Sequence, residues 1–365
     1  MKKNILFIAN GPLEDALKGT PIRIQNFLKQ ITKKHNLFVC ADNMDKINGV
    51  KFFSYPHLSK IKTLFYLTDL IKKEKIDVIF ITSELLLLPV IILKILTGSK
   101  IAVDLHGLYF EEWYYYKRIG FIYKILKEIE NRIYLLFFDL VFVVSEKLKE
   151  YYKSSNKNIK VIYGGADLEI FSDKVDNKDD NLIIGYMGNS RTYQGLEYLL
   201  AVASKFKKDK SVDFKLNLII SGNEDDFYKL LNTYDLRDVS LVNFNVKHSL
   251  VGKIISQSNI LVIPRPSLKM TEYAFPSKLT EYLSTGIVTV VTNVGPVEEL
   301  LRGRDCCFII DHKDIRKELE NIIIKLNSFG TEGRKRIGAN GRYFVRNNLT
   351  WDVLGKKINE SFFKL

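Results

Sequence analysis

Three short stretches of the chain carry residues suited to holding a diphosphate, and each follows an apolar, strand-like run. The densest is Pro264-Arg265-Pro266 followed by TEYAFPSKLTEYLSTG, which runs from Thr271 to Gly286. Ser277 suits the cap of a short helix that Gly286 ends, because a small hydroxyl residue satisfies first-turn amides and glycine tolerates the left-handed closing residue. The amides of Ser277 and Lys278 would then point at an anion, which the positive pole of the helix favours. Glu281 falls one turn in, about 6 Å along the axis. From there a carboxylate can accept hydrogen bonds from two adjacent hydroxyls of a ribose, roughly 1.5–3 kcal/mol each. The same Glu also suits the helix dipole with no ligand present.

The second stretch is Gly188-Asn189-Ser190-Arg191-Thr192-Tyr193-Gln194-Gly195, two glycines bracketing polar residues. Arg191 can reach phosphate oxygens as a bidentate fork, or simply face solvent. The third runs from Asn10-Gly11-Pro12 to Lys18-Gly19-Thr20-Pro21 and precedes Ile24, Phe27, Leu28 and Ile31 at helical spacing. Here Thr20 suits the N-cap, Pro21 the first helical position, and Gly19 a close approach of backbone to ligand. Loops of this kind occur throughout α/β proteins and carry little weight alone.

These loops need strands to position them. Apolar runs occur at 5–9, 37–40, 78–82, 101–105, 140–144 and 159–162, then at 182–187, 215–221, 240–243, 260–263, 288–292 and 306–310. Near-continuous β-branched strands alternating with helical segments predict parallel sheets covered on both faces. The polar stretch from Ser172 to Asn181, SDKVDNKDDN, reads as a linker between two such domains, 1–172 and 181–349. Two α/β domains facing each other leave a cleft, and ligands gather at the carboxyl ends of their strands.

Composition narrows the function classes. The chain has 365 residues, 46% of them hydrophobic, which favours two folded cores over bulk disorder. A net charge of +13 suits an anionic partner (nucleic acid, an anionic membrane surface or phosphorylated small molecules) and equally lysines spread over solvated faces. No zinc spacing, helix-turn-helix pattern or RNA-binding aromatic signature supports nucleic acid. Cys40, Cys306 and Cys307 form no disulfide framework, and the adjacent pair is poorly placed to bridge itself. Met1-Lys2-Lys3 runs straight into Ile5-Leu6-Phe7-Ile8 without a secretory leader, so a cytoplasmic location is expected. The longest apolar run, 85–93, is closed by Lys94 and Gly98 and is shorter than the ~20 residues of a membrane span. It reads as a buried helix. From Trp113 to Phe138, aromatic residues interleave with Lys117, Arg118, Lys124, Lys127 and Arg132. That mixture suits a peripheral contact with an anionic membrane, and equally a long helix packed on the sheet with its lysines solvated.

Taken in order, five segments resemble the family-4, group 1 retaining glycosyltransferases of GT-B fold. They are VDLHG (Val103 to Gly107), DLVFVVSEKLKEYY (Asp139 to Tyr152), VIYGGADLEIF (Val161 to Phe171), IGYMGNSRTYQGLEYLL (Ile184 to Leu200) and PSKLTEYLSTGIVTVVTNVG (Pro276 to Gly295). The resemblance implies two Rossmann-like domains, with Trp351 and the helix after it, 350–365, returning to the first. It implies a nucleoside-diphosphate sugar as donor, no cofactor and no metal, and a glycan or lipid-linked glycan as acceptor in bacterial surface polysaccharide assembly. Glu281 would bind the ribose, while Gly188, Asn189 and the amides around Ser277 would lie against the diphosphate. His106 would help hold the donor sugar, and Gly19 and Thr20 would contact phosphate or acceptor from the first domain. This sequence departs from the family pattern at Tyr273, where a Glu is usual, at Asn189, where Arg is usual, and at Gln194, where Lys is usual. Arg191, Arg265 and Lys278 are the expected substitutes. A sugar-nucleotide 2-epimerase of the same fold and a basic nucleic-acid-binding α/β protein are the alternative readings.

Overall fold

The computed structural model describes residues 1–9, 11, 13, 19–171 and 182–365. The expected linker, 172–181, and Asn10, Pro12 and Lys18 of the first loop lie outside the described residues. The chain forms two compact units: residues 1–163, 273–275 and 351–365, and residues 164–272 and 276–350.

The first unit contains β1 (Asn4–Ile8), β2 (Asn36–Ala41), β3 (Val50–Ser54), β4 (Val78–Ile81), β5 (Lys100–Leu105), β6 (Leu140–Val143) and β7 (Ile159–Val161). They pair in parallel in the order β3-β2-β1-β4-β5-β6-β7. Strands such as β4 (VIFI) and β6 (LVFV) are buried along their whole length, which is why they read as unbroken apolar runs. β3 was not expected. It is an edge strand with a mostly exposed face, and Lys51 interrupts its apolar pattern. The helices α1 (Gly19–Thr32), α2 (Lys60–Lys73), α3 (Leu87–Thr97), α4 (Tyr109–Tyr115) and α5 (Phe121–Leu135) belong to this unit. Phe27 of α1 meets Phe80 and Phe142, ring centroids 5.2 Å apart in each pair. The helix Trp351–Phe363 lays Phe362 against Phe142 at 5.6 Å, and its Asn359 donates from Nδ2 to the Gln30 carbonyl at 3.0 Å.

Two expectations change here. α3 is not buried all round: Leu87, Val90, Ile91 and Leu93 face the core, whereas Leu88, Ile92, Ile95 and Leu96 are exposed. The aromatic, basic stretch is two helices rather than one, and Lys124 is not solvated; it is buried and donates to Glu111 Oε2 at 2.9 Å. Among the described residues, no helix is long and apolar enough to cross a membrane.

The second unit contains β8 (Leu182–Gly188), β9 (Phe214–Ile220), β10 (Ser240–Phe244), β11 (Ile260–Ile263), β12 (Val288–Thr292) and β13 (Phe308–Ile310), all parallel, in the order β10-β9-β8-β11-β12-β13. Both sheets therefore start a first strand in the middle and build outward in two directions. Sheets wound this way bind ligands beyond the strand carboxyl ends at the reversal, here next to β8 and β11 in the second unit.

Candidate active site

In the second unit, β8 delivers the chain to Gly188 and the loop through Gly195, and β11 delivers it to Pro264 and Arg265. The two loops pack on each other so closely that a Cβ on Gly195 would collide with the Pro264 carbonyl. Gly195 also has φ +73°, which glycine adopts without strain. Gly188 shares the backbone constraint, with φ +151°, and the Lys278 amine occupies the space a Cβ would take. The helix Lys278–Ser284 is tied to β8 by Tyr282, whose hydroxyl accepts from the Met187 amide at 2.6 Å. Its other end is fixed by Arg342, which donates from Nη1 to the Ser284 carbonyl at 2.6 Å, a cation at the negative pole of the helix. Gly286 follows with φ +73°.

Around Gly188 the structure gathers three of the expected donor-site residues. Lys278 Nζ donates to Gln194 Oε1 at 2.7 Å and lies 4.9 Å from the centroid of the buried Tyr186 ring. Both partners are neutral. Burial first and the nearby Arg265 guanidinium second pull this amine down to about 7, against the raising effect of Glu281. Arg265 is itself buried. Two basic side chains whose charges repel, one of them only about half protonated at neutral pH, form an arrangement an anion would stabilise. Glu281 is buried, and its Oε1 lies 3.1 Å from His248 Nε2.

The remaining residues divide. Asn189 serves the loop itself: its carbonyl accepts from the Tyr186 hydroxyl at 3.0 Å and its Oδ1 from the Arg191 amide at 3.1 Å. Arg191 is exposed. Ser277 stands at the cap position but with helical backbone, φ −51° and ψ −35°, and its side chain makes no capping bond, contrary to expectation. The reason is local: Leu279 already donates to the Pro276 carbonyl at 2.8 Å, so a tight turn rather than a hydroxyl starts the helix.

In the first unit, α1 opens at Gly19, so Thr20 is not its N-cap and Pro21 stands third. A proline costs nothing there, because first-turn amides have no helical acceptor. One turn on, Arg23 reaches Asp104 at the end of β5 with a bidentate pair, Nε to Oδ2 at 2.8 Å and Nη2 to Oδ1 at 2.9 Å. Its remaining donors go to the Ile162 and Tyr163 carbonyls. Burial would raise the Asp104 pKa, but Arg23 and His106 overcome it and hold the carboxyl well below the usual range. His106 Nε2 lies 2.7 Å from Asp104 Oδ2. An ionised carboxylate only accepts, so this nitrogen carries the proton that Asp104 receives.

Sequence reasoning missed Arg23, His248 and Glu84. Arg23 sits on the apolar stripe of α1, four residues before Phe27, and a cation on a buried face was the available signal. His248 opens the helix His248–Ile255 after β10, at the same strand edge as the other loops, but no glycine marks it. Glu84, just after β4, is pushed up to about 8 chiefly by burial. Among the described residues, no three His, Cys, Asp or Glu side chains converge as a metal site.

Several solved structures share this architecture over the full chain. Sucrose-phosphate synthase from Thermosynechococcus elongatus superposes with a TM-score of 0.79 at 15% identity, covering 100% of this chain and 99% of that one. A glycosyltransferase from Rickettsia africae gives 0.75 at 18% identity, covering 100% and 98%. Anabaena HepE in complex with UDP-glucose gives 0.75 at 14% identity, covering 100% of both chains. No curated protein matches the chain. The fold is GT-B, two Rossmann-like parallel-sheet domains. Residues 167–344 match the family described as glycosyl transferases group 1, and residues 23–170 match glycosyltransferase family 4. The chain belongs to these group 1, family 4 glycosyltransferases.

Proposed function

We propose that the enzyme is a retaining, metal-independent glycosyltransferase that takes its sugar from a nucleoside-diphosphate donor held mainly by the second unit. The observation that carries this reading is the Lys278 amine, turned onto Gly188, hydrogen-bonded to the neutral Gln194 side chain and set near the Arg265 guanidinium. In this reading the diphosphate lies over Gly188 against Lys278, Arg265 and the amides of Ser277 and Lys278, with Arg191 closing on it from the loop. Glu281, its one oxygen engaged by His248, accepts from the ribose hydroxyls. HepE, described with UDP-glucose, supports the donor class.

The bond from the anomeric carbon to the diphosphate breaks with its electron pair staying on phosphate oxygen, and the two cations stabilise that charge. The acceptor hydroxyl bonds to the anomeric carbon from the same face, and its proton passes to the departing phosphate. The chain's part is mostly positioning and electrostatics. The family resemblance gives His106, fixed by Asp104, to the donor sugar, and Gly19 and Thr20 to phosphate or acceptor. The acceptor class that fits the family resemblance is a glycan or lipid-linked glycan of a surface polysaccharide.

The test is to incubate the protein with UDP-, GDP- and ADP-sugars and measure release of nucleoside diphosphate, with and without EDTA. Release from one donor class, indifferent to EDTA and reduced in Arg191→Ala plus Arg265→Ala, supports the proposal. Turnover unchanged in that double variant places the leaving-group cations elsewhere, and an EDTA-abolished signal removes metal independence.

A further inference from the structure

The strongest unexplained feature of the molecule is a helix turned inside out. On α5, Ile122, Leu126, Ile129 and Ile133 recur at helical spacing and are exposed, Ile122 at 74%. The opposite face, which is buried, contains Lys124 and Asn131 beside Leu135. An ordinary surface helix carries the reverse pattern. The neighbouring helices continue the face. α3 packs against α5 and exposes Leu88, Ile92 and Ile95, the last at 77%. α2 packs against α3 and exposes Ile61 and Phe65 at 69% and 67%. Of the 28 large exposed hydrophobic residues among the described ones, 20 fall between Leu58 and Phe137, so the apolar surface is concentrated rather than scattered. Concentration of this kind marks an interaction surface.

Charge selects the occupant. Lys60 and Lys62 flank Ile61 on α2, and Lys117 and Arg118 immediately precede α5; all four are exposed. Tyr114 and Tyr115, also exposed, stand between the cations and the rest of α4. A second copy of this chain, itself at +13, would set these cations against cations. An anionic lipid surface neutralises them while aliphatic side chains enter the acyl boundary and tyrosines rest at headgroup depth. We propose that the α2–α3–α5 face of the first unit docks this protein on an anionic lipid bilayer, lying on the membrane rather than crossing it. The sequence alone showed only the 113–138 part of this surface; the face gains its breadth from α2 and α3. The inference stands apart from the donor assignment, since it concerns a different surface and its readout involves no nucleotide.

Flotation of the full chain with phosphatidylcholine vesicles, with and without phosphatidylglycerol, tests it. Binding is expected with phosphatidylglycerol at low salt, to weaken at high salt, and to be slight with phosphatidylcholine alone. Ile122→Asp plus Ile129→Asp should reduce partitioning by at least about tenfold, because acidic groups replace inserted side chains. Lys60→Glu plus Lys62→Glu, which leaves the apolar stripes intact, should weaken binding to the anionic vesicles selectively. All four positions are exposed, so an unchanged melting midpoint and circular dichroism spectrum are expected of both variants. No flotation with either vesicle overturns the proposal, as does equal binding to both. A dimer seen by light scattering that the isoleucine variant dissociates would assign the face to a second copy and overturn it as well.

Discussion

Binding of a nucleoside diphosphate at about pH 8 is expected to draw a proton onto Lys278. In the free protein the amine is pulled down to about 7 by burial and by Arg265. One unit above that value, about nine-tenths of the molecules carry it neutral. A diphosphate over Gly188 brings the opposite charge and restores the ammonium form, so binding should take up close to 0.9 proton. Affinity should fall by up to about tenfold, or 1.4 kcal/mol, for each unit that pH rises between about 7 and 9. The ligand's own phosphate proton, with a pKa of about 6, is already gone in that window. Titration calorimetry of UDP or GDP in two buffers of different ionisation enthalpy reads the uptake directly. Lys278→Met should abolish both the uptake and the pH slope. A wild-type enthalpy that ignores the buffer, with affinity flat across that range, would refute the placement of the diphosphate on this amine. The same shift bears on folding with a definite sign. The unfolded chain holds the Lys278 proton where the folded one has lost it, so this residue makes stability rise with pH from about 7 toward the ordinary lysine range.

Two further outcomes follow from the same geometry. Glu281→Ala should weaken nucleoside-diphosphate binding by about 1–3 kcal/mol, read by calorimetry, since the ribose loses a charged acceptor; unchanged affinity would contradict the assignment. Asp104→Asn keeps the shape but leaves the buried Arg23 uncompensated, so denaturant unfolding should show a loss of about 3–5 kcal/mol. Because the Asp104 carboxyl is held well below its ordinary value, its stabilising contribution is present above that ordinary value and is lost as pH falls below it toward the folded-state value. The wild type should therefore lose more stability on acidification than the variant does.

Much of the fold was legible because its strands are buried on both faces. Runs such as Ile260–Ile263 and Val288–Thr292 need no partner to declare themselves, whereas the edge strand β3, exposed and carrying Lys51, does. The loops that hold Gly188, Arg265 and Lys278 were legible for a related reason: glycine and proline punctuate them, and both residues restrict backbone in ways that sequence reveals. Capping was less so. Ser277 has the right chemistry for a cap, yet the turn from Pro276 to Leu279 had already satisfied the need. The partners of the two functional carboxylates were not legible at all. Arg23 meets Asp104 across 81 positions and His248 meets Glu281 across 33, and nothing local links either pair. The α5 helix failed differently. Its buried face carries Lys124, whose partner Glu111 lies on α4, so the side turned inward is marked by a contact made in three dimensions rather than by an apolar stripe.

The central claim is that Lys278 and Glu281 together hold a nucleoside diphosphate, and one calorimetric comparison tests it most directly. UDP, GDP and ADP are titrated into the wild-type protein and into Lys278→Met plus Glu281→Ala, with a DNA duplex as a fourth ligand. One of the three nucleotides should bind the wild type and lose at least about tenfold in affinity in the double variant, with no comparable binding of the duplex. Tight, salt-sensitive duplex binding with no nucleotide binding, or a nucleotide bound equally by both proteins, would contradict it.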